Sequence, residues 1–201
     1  MEKDYIENSM WSEEKVIDYL KNNLKPKRLK HVFGVADSID ALAVRYGIDR
    51  EKARFSALYH DILKENSASR LIAYIRENGE EPGELLNASK VLHSQAGAIF
   101  ARVEGGVLDE DILNAIRYHT TGREDMSTLE KMLYLADVIE AGRDYEGVDR
   151  LRDLSMKDLD LAMLHALNSS LRFLEERNEY ILISSVRARN YYLTITRERT
   201  L

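Results

Sequence analysis

Leu58-Tyr59-His60-Asp61-Ile62-Leu63-Lys64 is an apolar run that abruptly carries an imidazole and a carboxylate side by side. Phe55, Leu58 and Tyr59 follow helical spacing from a cap at Asp49, so the spacing predicts a helix that continues through His60-Asp61 to Lys64. Burying that carboxylate without a partner costs several kcal/mol, so the setting demands a cation. Lys64, three residues on, can supply it. A metal ion is the other candidate. Met132-Leu133-Tyr134-Leu135-Ala136-Asp137-Val138-Ile139 repeats the anomaly. A lone acid in such a run lies at a helix end, in a buried ion pair or on a metal.

The flanking chain is helical throughout. Ser12, followed by Glu13 and Glu14, caps a first helix, with Trp11 and Val16 spaced as a hydrophobic staple, and the helix ends near Lys25-Pro26. A second helix runs from about Lys27 to Tyr46 and stops at Gly47. Ser67 to Asn78 is another, followed by a loop from Glu80 to Asn87 that contains Pro82 and Gly83. Further helices cover Lys90–Val103 and Asp109–His119. Ser127-Thr128-Leu129-Glu130 is a capping box opening a helix through Ile139, and Ser155-Met156-Lys157-Asp158 opens one through Glu176. A last amphipathic segment spans Val186 to Thr196. No strand alternation persists and no repeat is evident. The reading is all-α and single-domain: residues 1–11 as an N-terminal segment, 12–196 as the domain, and 197–201 as a frayed tail.

Composition sets the outer limits. The 201 residues include no cysteine, which removes disulfides and thiolate chemistry and suits a cytoplasmic location. No apolar run is long enough to cross a membrane, and the charged N-terminus lacks a signal region. A net charge of −6 without a concentrated basic surface argues against a nucleic acid polymer as partner. The densest basic run, Lys25, Lys27, Arg28 and Lys30, reads as a solvated helix start, with Arg28 set apart by its position one turn before His31. The residues do not choose between a monomer and a homodimer.

Of the five histidines, His31, His60, His93 and His119 fall on separate helical segments beside small or apolar residues. His165 lies off the expected core stripe of Met163, Leu164, Leu167, Leu171 and Leu174, and reads as solvated. Four histidines with Asp61 and Asp137 can converge on one interior site, as metal sites in helical bundles do. Imidazole and carboxylate without sulfur suit Fe, Mn, Co or Zn in an open site.

The ordered series His31, His60-Asp61, His93, His119, Asp137 resembles the metal signature of the HD-domain family, whose fold is a helical bundle. More narrowly, Leu29-Lys30-His31, His60-Asp61-Ile62-Leu63-Lys64, His119-Thr120-Thr121-Gly122-Arg123 and Leu135-Ala136-Asp137-Val138-Ile139-Glu140 resemble the bacterial YqeK-type members, symmetrical diadenosine tetraphosphate hydrolases. The resemblance covers roughly Ser12 to Leu193. It implies two divalent metal ions, iron favoured, with Mn or Co as substitutes. His31, His60, Asp61 and Asp137 would hold one, and Asp61, His93 and His119 the other. Asp61 and Lys64 would carry the catalytic roles. Arg28, Lys64, Thr120, Gly122, Arg123 and Arg143 would contact the nucleotide, Gly122 by allowing close backbone approach. Two stretches depart from the family pattern, His93-Ser94-Gln95-Ala96-Gly97 and the Ala141-Gly142-Arg143 that follows Ile139-Glu140; both bear on the shape of the nucleotide pocket.

Two metals about 3.5–4 Å apart can activate water at neutral pH and clamp a phosphoryl group, which removes the need for a side-chain nucleophile. The expected reaction is cleavage of diadenosine tetraphosphate into two ADP. Three rivals stand beside it: a nucleoside monophosphate or cyclic dinucleotide phosphohydrolase, a di-iron oxygenase on the same ligand set, and a helical binding module with a structural metal.

Overall fold

In the computed structural model, which describes residues 11–199, ten α-helices and two short 3₁₀ turns make up the chain, with no strand among the described residues. The helices are α1 (Glu13–Asn23), α2 (Pro26–Tyr46), α3 (Arg50–Tyr59), α4 (Ala68–Glu77), α5 (Leu92–Val103), α6 (Glu110–Tyr118), α7 (Thr128–Ile139), α8 (Val148–Ser155), α9 (Leu159–Glu176) and α10 (Ile183–Glu198). α2, α3, α5, α6 and α7 pack around the centre; α9 backs onto α7, and α10 onto α9.

Local chemistry sets most boundaries. Ser12, Asp49 and Ser127 each accept a backbone N–H of the first turn through the side-chain oxygen, as expected, and Ser67 and Asp109 do the same at the helix starts read there. Gly47 closes α2 at φ +68°, where a Cβ would be strained. Trp11 packs on Tyr19 and Phe100, with ring centroids 5.3 and 5.4 Å away. At Ser127 only half of the expected capping box forms, because the Glu130 carboxylate turns away to Arg123.

Four boundaries differ from expectation. α3 ends at Tyr59 and does not continue through His60-Asp61 to Lys64. Beyond it the chain tightens into successive i→i+3 bonds: Ile62 N–H to Tyr59, Lys64 N–H to Asp61 and Asn66 N–H to Leu63. This turn lets His60 and Asp61 point the same way from adjacent positions. Ser155 does not open a helix; it ends α8, a helix the apolar pattern had not revealed, and its hydroxyl donates to the Leu151 carbonyl at 2.7 Å. The cap of α9 is Asp158, whose Oδ1 accepts the N–H groups of Asp160 and Leu161 at 3.0 Å each. α10 continues through Glu198, and Arg199 pairs with Asp158 and Asp160, so residues 197–199 are not frayed; Thr200 and Leu201 lie outside the described residues. No described helix is long and apolar enough to cross a membrane.

Candidate metal centre

His60 and Asp61 leave the end of α3, His31 sits on α2, His93 near the start of α5, His119 just past α6, and Asp137 on α7. Their side chains meet at the bundle centre, with His60, Asp61, His93 and His119 all buried.

Three histidines are oriented by one device. Nδ1 of His60 donates to the Ala57 carbonyl at 2.6 Å, Nδ1 of His93 to Lys90 at 2.9 Å, and Nδ1 of His119 to Ile116 at 2.7 Å, in each case three residues back. A carbonyl can only accept, so the proton belongs on Nδ1 and the Nε2 lone pair faces inward. His31 reaches the same orientation through a carboxylate: its Nδ1 donates to Glu140 Oε1 at 3.2 Å. The Nε2 atoms then face one another, His31 to His60 at 3.4 Å and His93 to His119 at 3.3 Å. Asp137 Oδ1 lies 3.1 Å from His31 Nε2, and Asp61 Oδ1 lies 3.1 Å from His93 Nε2. Acceptors turned on acceptors in a buried space fit a cation. The ligand atoms of His31, His60 and Asp137 lie within 4.8 Å of one another, as do those of His60, Asp61 and His119.

Asp61 is shared between two halves. Its Oδ1 faces His93 and His119, while Oδ2 faces His60 at 3.5 Å and His31 at 3.7 Å. Burial pushes the Asp61 carboxyl up, but His60, His93 and Lys64 together hold it well below the usual carboxylate range. Asp137 is likewise held far down by His31 and His60 against the effect of burial.

Burial lowers His60 and His93, and burial with His60 and His93 alongside brings His119 down to about 3. These imidazoles are neutral near pH 7, the form that coordinates metal. The sign of the stability effect follows. An unfolded His119 takes up its proton near pH 6.5 and the folded one only near 3. Stability is therefore full above pH 6.5 and falls as pH drops, by roughly 2 kcal/mol from His119 alone by pH 5. The urea midpoint of chelator-treated protein is expected to decline between about pH 7 and pH 5, and a flat profile contradicts this.

Basic side chains surround the cluster. Arg28 Nη1 donates to Asp61 Oδ2 at 2.7 Å, and Arg143 donates through Nη2 to Asp137 Oδ1 at 2.5 Å and through Nε to the Asp137 carbonyl at 2.8 Å. Lys64 Nζ sits 3.0 Å from His93 Nε2 and 3.8 Å from Asp61 Oδ1, so the pairing expected three residues after Asp61 is present; burial lowers its pKa. A cleft of about 680 Å³ opens from His31 and Glu140 past Arg28 and Arg143. The first turn of α2 faces it uncapped, since Lys25 has no side-chain oxygen to offer.

Three of the expected substrate contacts also have partners within the protein. Gly122, at φ +64°, turns its missing Cβ toward Leu167 and Ala188 of α9 and α10, at 3.4 and 3.5 Å, so its glycine serves packing. Arg123 grips the buried Glu130 with Nε at 2.9 Å and Nη2 at 2.6 Å and lies over Tyr118, away from the cleft lining. Thr120 follows His119 and its hydroxyl donates to Ser94 Oγ at 3.3 Å. His165 is half-buried and lines a separate pocket of about 150 Å³.

Two positioning residues escaped the sequence reading. Glu140 holds His31 with one oxygen and accepts the Gly142 N–H with the other at 2.5 Å. Gly34 leaves it room, because a Cβ there would come within 2.6 Å of Glu140 Oε2. Arg152 of α8 donates to the carbonyls of Ile139, Glu140 and Arg143, fixing the turn that carries both Glu140 and Arg143. The three-residue spacing of Asp137 and Glu140 is the signal that was available.

A bundle whose centre gathers histidines and aspartates in this order, under a cleft with basic walls, defines the class of helical metal-dependent phosphohydrolases. Residues 28–142 match the HD domain, and the chain belongs to that family. It is similar over most of its length to proteins named symmetrical bis(5'-nucleosyl)-tetraphosphatase. The protein of Halalkalibacterium halodurans is 36% identical across 89% of this chain and 96% of its own length. That of Bacillus subtilis is 38% identical across 83% and 89%. A crystal structure from Clostridium acetobutylicum, described as a "predicted HD superfamily hydrolase involved in NAD metabolism", matches with a TM-score of 0.89 and 42% identity over 92% of this chain and 98% of that one.

Proposed function

We propose that this chain hydrolyses diadenosine tetraphosphate, and related dinucleoside polyphosphates, symmetrically to two ADP. The observation that carries the reading is the set of inward-facing acceptors beneath a cleft lined by Arg28 and Arg143. The names of the similar proteins support the choice of substrate.

In this reading His31, His60, Asp61 and Asp137 hold one divalent ion and Asp61, His93 and His119 a second, iron being favoured and Mn or Co able to replace it. When bound, the metals supply Lewis acidity and a nucleophilic water at neutral pH. The remaining work belongs to the chain. Arg28, Lys64 and Arg143 offer charge-assisted hydrogen bonds to a polyphosphate, where their contacts strengthen as charge builds in the transition state. Arg28 and Arg143 are paired with Asp61 and Asp137, so they also hold those carboxylates in place. Water adds across the central phosphoanhydride: one P–O bond forms, one breaks, and each half departs as ADP.

The test is product identity. Protein reloaded anaerobically with Fe(II) or Mn is expected to convert diadenosine tetraphosphate into two ADP, resolved by ion-exchange chromatography. ATP plus AMP would overturn symmetrical cleavage. No turnover by metal-replete protein would overturn the substrate, and oxygen consumption with a non-phosphate substrate would establish the oxygenase rival.

A further inference from the structure

The cleft carries two charges that neither the metal cluster nor the fold uses, and an aromatic ring that stays partly exposed. Five cations line it, of which Lys25 pairs with Glu65 at 2.8 Å, Arg28 with Asp61 at 2.7 Å and Arg143 with Asp137 at 2.5 Å. Lys27 and Lys30 also line it, and among the described residues neither is in an ion pair. They stand three residues apart in the first turns of α2, hence side by side on one face. In a chain of net charge −6, two adjacent uncompensated lysines at the mouth of a phosphate cleft form a local anion site.

Tyr145 also lines this cleft, on the loop between α7 and α8. Its hydroxyl donates to the Val138 carbonyl at 2.8 Å, one residue after Asp137, and its own carbonyl accepts the Val148 N–H at 3.1 Å. The ring is thereby fixed relative to the metal cluster, yet the residue stays 40% exposed. A large ring pinned by its polar end and left open to solvent is a stacking platform, the sequence-tolerant way in which proteins hold a nucleobase. Asp144, the cleft's acid without a cation partner among the described residues, precedes Tyr145 on that loop.

We infer that Lys27, Lys30 and Tyr145 form a half-site for one nucleoside diphosphate of the substrate, the lysines on its phosphates and Tyr145 on its base. The inference rests on the dinucleoside polyphosphate reading and assigns one half of that substrate to named residues.

Calorimetric titration of Mn-loaded protein with ADP and with inorganic pyrophosphate tests it without turnover. Tyr145→Ala is expected to weaken ADP roughly tenfold and leave pyrophosphate unchanged. Tyr145→Phe, which keeps the ring, is expected to recover most of the ADP affinity. Lys27→Gln with Lys30→Gln is expected to weaken both ligands and flatten their salt dependence. Equal effects of Tyr145→Ala on ADP and pyrophosphate, no effect on either, or unchanged binding by the double lysine variant would each overturn the half-site. Diadenosine tetraphosphate turnover, followed in the same preparation, separates the two readings. ADP binding that follows this pattern without turnover removes the hydrolase reading and leaves the half-site; turnover with normal ADP binding by Tyr145→Ala does the reverse.

Discussion

Asp61→Ala is expected to lower hydrolysis of the polyphosphate on the order of 10³-fold or more, and to cost the metal-free chain some stability as well. Asp61 is the carboxylate that faces both halves of the cluster, Oδ1 toward His93 and His119 and Oδ2 toward His60 and His31. Removing it leaves neutral imidazoles with no shared carboxylate, so both metal occupancy and activity fall. Stability falls too. The carboxyl is held well below its usual range, so its ionised form is net stabilised by the fold, and the alanine leaves Lys64 without its carboxylate; Arg28, with a side chain 31% exposed, can turn to water. Activity, metal content and urea midpoint measured on one preparation separate these effects. Activity within tenfold of the parent would remove Asp61 from the centre of the account.

The second large effect is expected at Glu140, which touches no other member of the cluster but His31. Glu140→Gln should cost roughly 10–100-fold in metal affinity or activity, the range for residues that orient a ligand from behind. Both carboxylate oxygens accept, Oε1 from His31 Nδ1 and Oε2 from the Gly142 N–H. Glutamine has one acceptor oxygen, so either flip sets its NH₂ against a donor. His31 then loses its fixed ring, or the turn carrying Arg143 loosens. Gly34→Ala is expected to act in the same direction, because the new Cβ would press on Oε2. A metal titration of Glu140→Gln that matches the parent would show that His31 is oriented by its helix alone.

How far the sequence reached can be argued from these residues. The caps at Ser12, Asp49 and Ser127 were legible because a cap is a contact between a side chain and a backbone group two or three residues away. The cluster was legible because imidazoles and acids in apolar runs have few physical excuses. The break after Tyr59 was not legible, since Ile62 and Leu63 are as apolar as the helix before them; what changes there is the hydrogen-bond register. Glu140 at the end of α7 offered only its three-residue spacing from Asp137 as a signal, and packing against Gly34 and His31 is what buries it. The packing and ion-pair partners of Arg123 and Gly122 were not legible for the converse reason. Their motif is local, but the groups that occupy them, Glu130, Leu167 and Ala188, come from α7, α9 and α10. Lys27 and Lys30, which read as a solvated helix start, are exposed; the cleft they line was not legible, because its other wall comes from residues 140–145.

The central claim is that one buried cluster holds two metals with Asp61 between them. An anomalous difference map from crystals loaded with Fe(II) or Mn, collected at the metal's absorption edge, tests it most directly. The account predicts two peaks flanking the Asp61 carboxylate, one beside His31, His60 and Asp137 and one beside His93 and His119. A single peak, or peaks away from Asp61, would contradict it.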